Sequence, residues 1–337
     1  MIIPNGITFQ GIIFLYIILI SMVQIHCYNQ SSIDDVKNLI SNAKHILVLT
    51  GPAIIPELKY PNYRDDSYMW RDTISSDLAT SDAFERTPDK VWEFYSYLRS
   101  LALPFEPNQV HHTLAALQQR FREESRQLTV VTQCEDDLHR QAGMQNVIDL
   151  NGCIFRTKCI RCGEKEYNRD DPICEALKGY QNAGLPHVIS REDLPHCKRR
   201  GCHSLLGPDM VWYHSSLDKI TYKNLVRVVN EADLFIVIGS PTDRGYARAY
   251  QPQFEDEDIP CIEFNPVESE RSFTYTYSFI GPLNETVPKF LQHVAPTTTT
   301  PMENIDDMII NYKDDKDDYK HDEPDWLDDM ETNISTE

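Results

Sequence analysis

Apolar residues fall along this chain in two rhythms. Residues 45–50, 128–132, 146–150, 234–238 and 261–264 are compact apolar runs with little polar alternation. Strands covered on both faces read this way, because neither face requires polar side chains. Between them, 33–43, 90–101, 111–122 and 224–232 carry apolar residues at helical spacing, as Val36, Leu39 and Ile40 do. Buried strands alternating with helices predict an α/β, doubly wound parallel sheet. Residues 152–206 break the rhythm: they are rich in Cys, Pro and charge and hold no long apolar run. They predict a smaller inserted module, leaving about 33–151 and 207–292 to the sheet within a domain spanning 28–295.

The two ends read differently. The run from Gly11 to Val23 is apolar but for Ser21 and about the length of a signal-peptide core. Residues 1–27 therefore predict a signal peptide cleaved near Cys27, with a signal anchor tethering the chain to a membrane as the alternative. Entry into the secretory pathway, and secretion, agree with sequons at Asn29, Asn284 and Asn333. Pro296-Thr-Thr-Thr-Thr-Pro301 predicts a stiff, O-glycosylated linker. Beyond it, 301–337 hold 14 Asp/Glu against 3 Lys, which is −11 of the net charge of −20. Residues 296–337 predict a disordered acidic tail. A chain this acidic repels phosphate backbones, which excludes nucleic acid as a direct partner.

The most specific chemical signal is Cys159-Ile-Arg-Cys162 with Cys197-Lys-Arg-Arg-Gly-Cys202. Two short knuckles each present two sulfurs to one side, and four thiolates satisfy tetrahedral Zn2+ without an open position, so the role predicted is structural. Gly163 and Gly201 supply the tight turns. A pair of disulfides is the competing reading in an oxidising compartment. Pairing among Cys134, Cys153, Cys174 and Cys261 stays open.

From 33 to 291 the chain resembles the sirtuins, the NAD-dependent protein-lysine deacylases, and most of all their desuccinylase and demalonylase branch. The resemblance rests on Asp77-Leu-Ala-Thr80, Val91-Trp-Glu-Phe-Tyr-Ser-Tyr97, Glu106-Pro-Asn108, Thr132-Gln133, Asp136-Asp-Leu-His-Arg140, the four cysteines, Val211-Trp-Tyr213 and Glu263-Phe-Asn-Pro266. It implies a Rossmann-like domain, a zinc and helical module, and a cleft for NAD and an acylated lysine peptide. It also implies cofactor-binding roles for Gly51, Arg64, Gln133, Asp136, Gly239, Ser240 and Asn265, and substrate-binding roles for Tyr95, Leu98, Val211, Trp212 and Tyr213.

Four segments depart from the pattern so implied. The phosphate loop reads Gly51-Pro-Ala-Ile-Ile55, where Pro52 removes a donor and Ile55 replaces a hydroxyl. The nicotinamide-side motif reads Gln133-Cys134-Glu135-Asp136, with Cys and Glu in place of an amide and an apolar residue. Leu98 stands where the branch carries the Arg that clamps a substrate carboxylate, and Arg99 points about 100° away around a helix. Asn151 stands where the family carries the His that acts as general base, and an amide has no pKa near neutrality. His139 predicts a structural histidine. Three expectations follow: a secreted NAD- or ADP-ribose-binding pseudoenzyme, a residual deacylase or ADP-ribosyltransferase, and an interaction protein whose acidic tail engages other proteins.

Overall fold

The computed structural model describes residues 30–61, 63, 68–179, 189–241 and 245–291. The leader at 1–27, the tail at 296–337 and Arg64 lie outside the described residues. The principal elements are α1 (Gln30–Asn42), β1 (His45–Thr50), α2 (Pro88–Ala102), α3 (Gln109–Glu123), β2 (Gln127–Thr132) and β3 (Val147–Asp149). After these come β4 (Gly152–Cys159), β5 (Lys165–Tyr167), β6 (Leu206–Met210), α4 (Lys219–Glu231), β7 (Leu234–Ile238), α5 (Gly245–Asp256), β8 (Cys261–Asn265), β9 (Tyr277–Ile280) and α6 (Leu283–Leu291).

Six strands form one parallel sheet in the order β9-β8-β7-β1-β2-β3. This is the doubly wound Rossmann-like sheet that the apolar runs predict. Alternate residues of β1 serve opposite layers: Ile46 and Val48 meet α1, α3 and α6, whereas Leu47 and Leu49 meet α4 and α5. Every one of these positions is buried, which is why the sequence shows no alternation. Two helices, α5 and α6, were hidden from the periodicity by Pro252 and Pro288 inside them. Packing holds α6 in place despite Pro288: Val287, Phe290 and Leu291 are fully buried against the sheet.

A second core lies beside the sheet. The antiparallel strands β5-β4-β6 pack under α2, where Trp92, Phe94, Tyr95 and Leu98 meet Ile154, Phe155, Leu205 and Leu206. Tyr63 and residues 68–103, assigned by sequence to the sheet part, thus share the core of the cysteine-bearing module. Two polar contacts fix this joint. The Trp92 indole donates to Leu206 O at 2.9 Å, and the buried Arg99 guanidinium donates to the carbonyls of Ile154, Asn168 and Asp170 at 2.8–2.9 Å. Arg99 is wholly occupied in stapling α2 to the module.

The sheet and the module meet at Asp149, the last residue of β3. Arg140 grips its carboxylate with both nitrogens at 2.8 and 2.9 Å, and Arg156 of β4 reaches it at 3.0 Å. Arg156 also pairs with Asp209 of β6. Burial alone would push the Asp149 carboxyl up, but the two guanidinium groups outweigh it and hold it below the usual 3.8. Asp149→Ala is expected to lower the unfolding free energy by about 3–5 kcal/mol, since two partly buried cations lose their shared anion. Urea titration checks this. Because the folded carboxyl has the lower pKa, the difference should be complete at neutral pH and fade as pH falls below about 4.

Candidate functional site: a cleft at the switch point of the sheet

Strand order reverses at β1, and ligands of open α/β sheets bind in the crevice beyond the carboxyl ends at such a point. There Gly51 passes directly beneath the end of β7. A Cβ on Gly51 would lie 2.5 Å from Gly239 O and 2.6 Å from Ser240 Cα, so no other residue fits. Gly239 itself has φ +64°. The chain then makes a single 3-10 turn over Pro52–Ile54.

The amides of this turn are spent inside the protein. Gly51 N donates to Ile238 O and Ala53 N to Gly239 O, both at 3.0 Å, while Ile54 N and Ile55 N close the turn on Gly51 O and Pro52 O. Pro52 has no N–H. Anion binding at a helix start needs N–H groups directed outward, and these point inward.

A cavity of about 150 Å³ opens between this turn and the segment after β2. One wall is apolar and aromatic, from Ile55, Leu58, Tyr60 and Tyr63. The other is polar, from Gln133, Cys134, Glu135, Asp136 and Asn151. Gln133 accepts the Ser240 hydroxyl at 2.7 Å, and Asn265 donates to Ser240 O at 3.0 Å and to Glu263 at 2.7 Å. The structure therefore links Gly51, Gln133, Gly239, Ser240 and Asn265 at one edge of the sheet.

Asn151 sits in the polar wall with its NH2 donated to Gln133 O at 2.8 Å. Its remaining oxygen accepts hydrogen bonds and cannot take a proton near neutrality. His139 lies elsewhere, 2% exposed, bonded through Nε2 to Thr50 Oγ1 at 2.9 Å and packed 4.8 Å from the His111 ring. Burial drives its pKa down to about 3, so it stays neutral and structural. Burial pushes the Cys134 thiol well above its ordinary range, with Asp136 adding to the effect, so no thiolate forms there.

The residues expected to hold substrate cluster one layer away and do not line the cavity. Tyr95 and Leu98 are buried, and Trp212 stacks on Phe84 at 5.8 Å with its edge toward Tyr95 at 6.0 Å. Val211 N donates to Asn151 O at 2.9 Å, which ties this group to the cleft, and Tyr213 N donates to Ala79 O at 2.7 Å. Tyr60 bridges the two regions by donating to Leu98 O at 3.2 Å. Tyr60 escaped the sequence reading because its loop has neither periodicity nor a motif.

The four knuckle cysteines converge. All four sulfurs lie within 4.8 Å of one another, with Cys159–Cys202 at 3.6 Å and Cys162–Cys197 at 3.7 Å. A disulfide requires about 2.05 Å, and every described cysteine is free. Tetrahedral zinc with bonds of about 2.3 Å places its sulfurs roughly 3.8 Å apart. The donor set fits zinc.

Two expectations follow from this geometry. Purified protein should carry about one zinc per chain by atomic emission, and Cys197→Ser should lose both the metal and the fold of the module. Burial, outweighing the Leu138 N–H bond, raises the Asp136 carboxyl to about 6 against an ordinary 3.8. The folded state thus binds the proton more tightly, and stability falls as pH rises from about 4 to 6. Asp136→Asn should therefore add about 1–3 kcal/mol near pH 7.5 and little near pH 4 in paired denaturant titrations.

The comparisons with known proteins agree with this arrangement. The Sir2 family matches residues 51–243. The mitochondrial NAD-dependent protein deacylase sirtuin-5A of Xenopus laevis is 35% identical over 268 residues, covering 77% of this chain and 85% of that protein. The NAD-dependent protein deacylase of Daphnia pulex is 34% identical, covering 77% and 96%. Among solved structures, a Sir2 homolog in complex with NAD superposes with a TM-score of 0.61 at 26% identity, covering 77% of this chain and 93% of its own. A histidine-to-asparagine mutant of a Sir2 homologue, in complex with ADP-ribose, gives 0.61 at 25% identity and covers 79% and 96%. By sequence, fold and cleft, this chain belongs to the Sir2 family, whose activity is NAD-dependent protein deacylation.

Proposed function

We propose that this chain is a Sir2-family protein that retains a nucleotide cleft for NAD or ADP-ribose but has lost efficient deacylation. The observation that carries the reading is Asn151 in the polar wall, its NH2 committed to Gln133 O. Deacylation needs a group there that removes a proton from a ribose hydroxyl, and a carboxamide cannot do so. Binding is a separate matter: the asparagine mutant of the Sir2 homologue is a complex with ADP-ribose. Gln133, Ser240 and Asn265 supply the hydrogen-bonding edge for the nucleoside. The apolar Val211, Trp212 and Tyr213 group supplies the channel for an acylated lysine peptide, and Leu98 in place of a cation disfavours acidic acyl groups. Zinc on Cys159, Cys162, Cys197 and Cys202 holds the module that backs this channel. Entry to the secretory pathway belongs to the same proposal, supported by the apolar run at 11–23; the one described sequon, at Asn284, is exposed at the start of α6.

A second reading has one observation in its favour. The carboxyl of Asp136, raised to about 6, lines the same cavity as Asn151, and a base is most effective when its pKa lies near the working pH. Residual deacylation or ADP-ribosyl transfer would run through it.

The test is nicotinamide release from NAD in the presence of acetyl- or succinyl-lysine peptide. Asn151→His is expected to release it about 10²–10⁴-fold faster than the unaltered protein. Turnover by the unaltered protein equal to that of the histidine variant, abolished by Asp136→Asn, would replace the first reading with the second.

A further inference from the structure

The two walls of the cavity come from distant stretches of chain, and a side-chain hydrogen bond joins them. Tyr63 donates its hydroxyl to Glu135 Oε1 at 2.6 Å. Both residues are more than nine-tenths buried, Tyr63 at 5% and Glu135 at 8% exposure. Tyr63 is held at its ring and at its backbone. Its ring meets Phe94 edge-on at 5.6 Å and Tyr95 at 6.4 Å, and Ser75 donates to Tyr63 O at 2.9 Å. A donor fixed so firmly on a buried carboxylate makes one of the stronger classes of hydrogen bond.

The same pattern recurs around the cleft. The Gln133 amide oxygen is taken by Ser240, the Asn151 NH2 by Gln133 O, and the Gly51 and Ala53 amides by Ile238 O and Gly239 O. Polar groups that could meet a nucleotide are met by the protein instead. The Tyr63–Glu135 bond links the aromatic wall to the acidic segment through two side chains, so it can be removed without altering the backbone hydrogen bonds.

We propose that Tyr63 and Glu135 are the affinity-setting pair of the cleft: the phenol occupies the carboxylate that a ribose hydroxyl or carboxamide N–H would otherwise meet, and it ties the walls together. This rests on the reading of the cavity as a nucleotide site. A ligand that must displace an internal hydrogen bond loses affinity by the strength of that bond. Neither residue is a proton acceptor in the proposed chemistry. They act on access and binding.

Tyr63→Phe removes one oxygen and leaves the ring in its packing. In zinc-loaded full-length protein, it is expected to tighten ADP-ribose binding about ten-fold by calorimetry. Glu135→Gln keeps an acceptor but makes the bond neutral, and should give a smaller gain in the same direction. The second readout is ligand-free hydrogen exchange at the amides of Leu58 and Tyr60, which bond within the aromatic wall to Ile55 O and Leu58 O. Their exchange should quicken in Tyr63→Phe, because local opening no longer breaks the tie. Equal or weaker ADP-ribose binding by both variants, where the unaltered protein binds it, overturns the proposal. Unchanged exchange in Tyr63→Phe overturns it as well. Faster exchange with no nucleotide binding by any form overturns the nucleotide reading while supporting the tie.

Discussion

Asp149 is the point on which the arrangement turns. Its carboxylate closes β3, receives Arg140 from the sheet side and Arg156 from the module, and stands two residues before Asn151. A buried anion shared by two guanidinium groups is tolerated only where the geometry satisfies all three. That requirement fixes the exit of β3 and therefore the path of the chain into β4. Val211 N on Asn151 O and Asn151 Nδ2 on Gln133 O then join three segments at one spot. Asn151, where the resemblance places the family's base, is thus tied by hydrogen bonds to the segments carrying Gln133 and Val211.

Around that spot the cleft satisfies itself. In the family pattern implied by resemblance, the turn after β1 offers its amides to phosphate. Here Gly51 and Ala53 donate to the end of β7, and Pro52 has nothing to offer. Glu135, where the resemblance expects an apolar residue, is met by the Tyr63 hydroxyl in a hydrogen bond. A departure from the implied pattern is thus accommodated by a partner from the facing wall. Retained order, rather than decay, is the physical character of this cleft.

The cysteine module shows the opposite relation between fold and site. The sulfur spacing near 3.7 Å suits a metal and not a disulfide. Trp92 and Arg99, both buried, carry the module against α2, so the helix that bears Tyr95 and Leu98 is positioned by the cysteine-bearing module. Stability of one part is thereby transmitted to the shape of the other.

The sequence by itself determined the parallel sheet, the cysteine cluster and the amide at position 151. Strands covered on both faces leave uninterrupted apolar runs, paired thiols leave a fixed spacing, and an amide cannot become a base wherever it lies. Only the tertiary structure decided the rest. Helices α5 and α6 form through burial that outweighs an internal proline, which local pattern cannot register. Residues 68–103 join the module's core because Trp92 and Leu98 find their apolar partners in β4 and β6, more than fifty residues away. Arg99 was expected only to miss a substrate, and its actual partners are carbonyls that no spacing rule foretells. Hydrogen-bond saturation is a property of distances between remote atoms, so the closed state of the cleft could be read only once the chain was folded.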